Sequence, residues 1–83
     1  MRYTKGEEKL TLFKEFAEKL GARVIYDTFP GRGGWCRANG RYYVIINRKL
    51  PPDEKIEIFV DFFRGIKTDT VYLPPLIREE IER

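Results

Sequence analysis

The chain has no histidine, no serine and no glutamine, and one cysteine among 83 residues. A zinc site of the usual histidine and cysteine composition cannot be assembled from that set. A serine triad is likewise excluded, and Cys36 has no histidine to deprotonate it, though Arg32 and Arg37 could lower its pKa. A lone cysteine makes no internal disulfide, which agrees with a reducing cytoplasm. Long apolar runs are also missing, so no membrane span is expected. The start, Met1 to Glu8, lacks the apolar stretch of a secretory signal.

What is present is charge, with 16 basic and 13 acidic residues and a net charge of +3. Lysine, glutamate and arginine dominate the polar residues, a bias typical of proteins from hot environments, and a thermophilic source is the expectation. The charge is uneven. Residues 30–52 carry Arg32, Arg37, Arg41, Arg48 and Lys49 and no acid, whereas residues 53–83 carry eight acids against five bases. A basic segment beside an acidic one suits an anionic ligand or a second protomer.

Eighty-three residues form one domain, 1–83, whose single core supplies roughly 3–5 kcal/mol. Leu10, Phe13, Phe16, Ala17 and Leu20 fall at helical spacing within 5–20, and Gly21 ends that helix. Residues 22–29 read as a strand through Val24, Ile25, Tyr26, Thr28 and Phe29. Pro30-Gly31-Arg32-Gly33-Gly34 breaks it. Trp35 to Ala38 and Arg41 to Asn47 form a hairpin about Asn39-Gly40, the preferred pair for a type I′ turn. The run Tyr42-Tyr43-Val44-Ile45-Ile46 reads as a central strand covered on both faces.

Pro51-Pro52-Asp53-Glu54 opens a second helix, with proline and acids in its first turn. Over residues 53–64 it carries one stripe of Ile56, Phe59 and Phe63 and a second of Ile58 and Phe62, so it is buried on more than one side. Gly65 ends it. Residues 70–73 are an extended connector, and Pro74-Pro75 leads into a last helix over 76–82. The order α-β-β-β-α-α implies an α+β fold, a three-stranded antiparallel sheet packed on helices in two layers.

Three of the candidate chemistries are weak. Asp53, Glu54, Glu57 and Asp61 line one helix and could gather a hard cation, but their pattern reads as a solvated face with no calcium-loop spacing. Gly31-Arg32-Gly33-Gly34 could form an anion nest, but it joins two strands instead of leading into a helix. Asp27 and Asp61 are the acids available for two-carboxylate hydrolysis, with nothing to place them in a cleft. No catalytic residue, metal or cofactor is expected. Nucleic acid is the stronger alternative. Arg32, Arg37, Arg41, Arg48 and Lys49 form a basic hairpin, with Trp35, Tyr42 and Tyr43 interleaved for stacking.

The α-β-β-β-α order resembles that of double-stranded-RNA-binding domains, but Asp53 and Glu54 stand where that family has a lysine-rich helix start. The pattern Gly33-Gly34-x-Cys36-Arg37-x-x-Gly40-Arg41, Val44-x-Ile46-Asn47-x-x-Leu50-Pro51 and Val71-Tyr72-Leu73-Pro74-Pro75-x-Ile77-Arg78-Glu79-x-Ile81 resembles a group of short uncharacterised bacterial proteins, which implies no function. A looser likeness is to zincin-like metallopeptidases of the ImmA/IrrE type, on Ile45-Ile46-Asn47 followed by the helix with Phe59-Val60-Asp61-Phe62-Phe63. Phenylalanine at both ligand positions implies at most a scaffold without the metal. The resulting expectation is a cytoplasmic, non-enzymatic interaction module. It homodimerises, or meets an unknown protein partner, through Ile58, Phe59, Phe62 and Phe63. The alternative is an anion, RNA or single-stranded-DNA binder using Arg32, Trp35, Arg37, Arg41, Tyr42, Arg48 and Lys49.

Overall fold

A computed structural model describes residues 5–66 and 72–82. Helix α1 spans Lys5–Lys19, strands β1, β2 and β3 span Arg23–Asp27, Gly33–Ala38 and Arg41–Asn47, and helices α2 and α3 span Pro52–Gly65 and Pro75–Glu82. This is an α+β domain, as the pattern of apolar residues predicts. Thr70 and Val71 of the expected connector lie outside the described residues, while Leu73 beyond them is buried.

The sheet departs from expectation. Its order is β1-β3-β2; β2 is antiparallel to β3, but β1 runs parallel to β3. The sheet is therefore mixed, not purely antiparallel. The physical reason lies in the chain between β1 and β2. Instead of folding back beside β1, residues 28–32 cross the end of β3 and deliver β2 to the far side of it.

Asn47 holds that crossing. Its Nδ2 donates to the carbonyls of Phe29 at 2.9 Å and Gly31 at 2.6 Å, and its backbone N–H donates to the carbonyl of Arg32 at 3.1 Å. Its Oδ1 accepts from the N–H of Lys49 at 3.0 Å. Asn47 is the buried polar residue among the described residues, and both ends of its amide are occupied. Such a fully used amide is affordable inside a protein because no donor or acceptor is stranded.

The hairpin conforms to its sequence. Asn39 and Gly40 have φ of 53° and 76°, the two positive values a type I′ turn requires. Gly33 is fixed by a close approach as well as by its φ of 111°: a Cβ there would collide with the carbonyl oxygen of Ile45.

The core lies between the inner face of the sheet and the helices. Val44 and Ile46 of β3 are fully buried with Phe13 and Ala17 of α1, Phe59 and Phe62 of α2, and Ile77 of α3 close behind. Both apolar stripes of α2 are consumed here. Ile58, Phe59, Phe62 and Phe63 are each at most 1% exposed within the single chain. Among the described residues α1, α3 and the sheet pack around α2, so within the single chain these four expected interface residues are core side chains. Phe59 and Phe63, at the positions of the zincin-like resemblance, are core side chains packed with Phe13 and Phe16.

The helices are tied together at their far ends. Lys9 of α1 pairs with Glu80 of α3 at 2.7 Å, and Arg64 Nε of α2 donates to the carbonyl of Ile81 at 2.9 Å. The second contact places a cation on the C-terminal carbonyls of α3, where the helix dipole favours it.

Candidate binding face of the sheet

Side chains alternate along a strand, so each strand divides its residues between two faces. Register fixes the division. Trp35, Val44 and Val24 lie in one row across the sheet, and Cys36, Tyr43 and Arg23 in the next. The first row points toward the helices and the second away from them. The inner face thus holds Val24, Tyr26, Trp35, Tyr42, Val44 and Ile46. The outer face holds Arg23, Ile25, Arg41, Tyr43, Ile45, Gly34 and Cys36, with Asp27 and the buried Asn47 at its crossing end.

No helix covers the outer face among the described residues; α1 and α2 are the helices that reach the strands, and they pack on the inner side. The expectation that β3 is covered on both faces is therefore corrected. Tyr43 and Ile45 are half-buried, as Trp35 and Tyr42 are, but unlike those two they do not pack against the core, where Val44 and Ile46 are completely buried. The near-continuous apolar run disguised a strand with one wet face.

The seven residues singled out as a nucleic-acid site do not form one cluster. Trp35 and Tyr42 face inward. Both stand edge-on to the Phe62 ring, at centroid distances of 5.7 Å and 5.5 Å, and 6.1 Å from each other. They are half-buried supports of the core rather than free stacking platforms. Gly65 belongs to this packing: a Cβ there would run into the Trp35 indole. α2 ends at this glycine, whose φ is not positive and whose missing side chain leaves room for the indole.

The basic residues split between the two ends of β3, separated by about 20 Å at the usual strand rise. At the crossing end, Arg32 approaches Asp61 at 3.8 Å, Arg48 donates to the carbonyl of Tyr26 at 3.1 Å, and Lys49 is exposed. At the hairpin end, Arg37 stacks over the Tyr42 ring at 5.7 Å on the inner side, and Arg41 is exposed on the outer side. The structure adds a residue that sequence reasoning missed. Arg23, outside the basic run, is the register partner of Tyr43 and is exposed on the same outer face as Arg41.

None of Arg23, Arg37 and Arg41 makes an ion pair among the described residues. Asp27 is the one acid in the three strands and sits at the opposite end. Cys36 is free, exposed, and beside Tyr43.

The acids lie elsewhere. Asp53, Glu57 and Asp61 are exposed on α2, around a groove shared with Lys9 and Glu80. Among the described residues no three metal-ligating side chains gather closely enough to hold an ion. One titratable group has a perturbed environment. Tyr26 is pushed above the ordinary tyrosine range, by burial first and by the Glu18 charge second. Lys14 and Lys55 lie over its ring, each 5.5 Å from the centroid. Its phenol therefore stays neutral in the folded chain, and the stability this contributes is lost as pH rises through its folded pKa.

Compared with protein-family models, curated proteins and solved structures, the chain finds no match. No helix of the described residues is long and apolar enough to cross a membrane.

Proposed function

We propose that the chain is a non-catalytic binding module for an anionic partner, with the bare outer face of the sheet as its contact surface. The observation that carries this reading is Arg23 and Arg41, exposed on one face and, among the described residues, without an ion pair and without a strand carboxylate at their end of the sheet. Unpaired cations of one sign raise the local concentration of anions and steer them to the face. Arg37, on the inner side of the same end, widens the positive field. The test is retention on immobilised heparin. Arg23→Ala with Arg41→Ala should elute at clearly lower salt than the parent chain, while Arg48→Ala with Lys49→Ala should shift it less. Equal shifts for both pairs would leave only a diffuse effect of net charge.

A second reading is self-association across the same face. Ile25 and Ile45 are register partners there, and Gly34 beside them offers a flat spot. An isologous dimer would, however, bring two copies of Arg23 and Arg41 onto one interface, and like charges oppose that. Sedimentation equilibrium separates the readings: a monomer at high micromolar concentration removes the dimer and leaves the anionic partner.

A further inference from the structure

Resting on that reading, we infer that the anionic partner is single-stranded nucleic acid, bound on the outer face with a base stacked on Tyr43 between Arg23 and Arg41. A bare positive patch alone would suit any polyanion. Three features narrow the class. Tyr43 stands on the central strand of that face, half-buried between its sheet neighbours and outside the cluster packed on the core. Arg23 is directly across from it on β1, and Arg41 is two residues back on β3, on the same face. An aromatic ring flanked by guanidinium groups supplies stacking for a base and charge for the phosphates on either side of it.

The neighbouring row continues the surface. Ile25, Ile45 and Gly34 lie side by side across the three strands, a low apolar strip on which a second base can rest. The flat face disfavours a duplex, because stacking on Tyr43 requires a base that is not already paired and stacked. Loss of base stacking is also the readout that a purely electrostatic patch would not produce. Tyr42, its chemical twin, is unavailable, since Phe62 and Trp35 occupy its surroundings.

The experiment is fluorescence anisotropy with a labelled mixed-sequence RNA of about a dozen nucleotides, within the length single-strand platforms occupy. The same RNA annealed to its complement, and heparin, serve as competitors. Tyr43→Leu keeps an apolar side chain and removes the ring; it should weaken single-strand binding roughly 5- to 150-fold. Tyr43→Phe keeps the ring and should bind like the parent chain, which separates stacking from any loss of folding. Arg23→Ala and Arg41→Ala should each lower the slope of log affinity against log salt by about 0.7. Duplex RNA competing as well as the single strand would overturn the inference. So would unchanged binding by Tyr43→Leu with intact heparin retention, and in that case the anionic reading survives alone. Failure to bind either heparin or RNA would overturn both.

Discussion

Tyr42 and Tyr43 are consecutive residues of β3 with identical chemistry, yet they belong to different parts of the molecule. Tyr42 stands edge-on to Phe62 beneath α2; Tyr43 faces outward beside Arg23. The same contrast runs through the whole sheet. Its inner face carries Val44, Ile46 and Trp35 against buried phenylalanines, while its outer face carries Arg23, Arg41, Tyr43 and a short aliphatic row, with no helix over them among the described residues. The inner face is shaped by packing, where a methylene matters. The outer face is not needed to complete the core, and its composition is free to answer to a partner.

Substitutions should separate the faces by size of effect. The largest loss is expected at Phe62, fully buried and in ring contact with Trp35, Tyr42 and Phe63. Phe62→Ala should cost about 3–5 kcal/mol in urea unfolding, close to the whole margin of so short a chain. A cost under about 1 kcal/mol would mean that the inner face is not the core.

Asn47 comes next. Asn47→Ala removes the donor to the Phe29 and Gly31 carbonyls and should cost about 1–3 kcal/mol. Hydrogen exchange should show residues 28–32 opening first in that variant, while the hairpin stays protected. Uniform loss across the sheet would contradict the assignment of Asn47 to the crossing.

Gly65 tests the sign of a smaller effect. Helix propensity alone makes Gly65→Ala stabilising, by less than the ~1 kcal/mol of a helix interior because Gly65 is the last residue of α2. The overlap of the new methyl with the rigid Trp35 indole opposes it, and overpacking of this kind costs about 1–3 kcal/mol. A net loss is expected, with a shift in Trp35 fluorescence; a net gain would mean that the indole moves aside freely. The smallest effect belongs to the outer face. Ile45→Thr, half-buried on the outer face and keeping a high strand propensity, should change stability by less than about 1 kcal/mol.

Much of this architecture is legible in the residues. Asn39-Gly40 announces the hairpin, the spacing of Phe13, Phe16 and Ala17 announces α1, and Pro51-Pro52 with Asp53 and Glu54 announces α2. The parallel pairing of β1 is not legible, because a five-residue link between two strands ordinarily reads as a connection between sheet neighbours. What diverts it is the side chain of Asn47, and its partners are carbonyls that carry no sequence signal. The two faces of β3 were hidden for a different reason. Every residue from Tyr42 to Ile46 is apolar, so alternation leaves no polar mark; only the burial of Val44 and Ile46 decides which tyrosine turns in. Arg23 lies outside the basic segment along the chain, and only the sheet brings it across to Tyr43.

The most direct test of the account is a backbone-amide NMR titration of the labelled chain with single-stranded RNA at low salt. The account predicts shifts concentrated on Arg23, Ile25, Arg41, Tyr43 and Ile45, saturating together, with α2 and α3 quiet. Shifts confined to the crossing end, around Arg32, Arg48 and Lys49, or to the helical side of the molecule would contradict it.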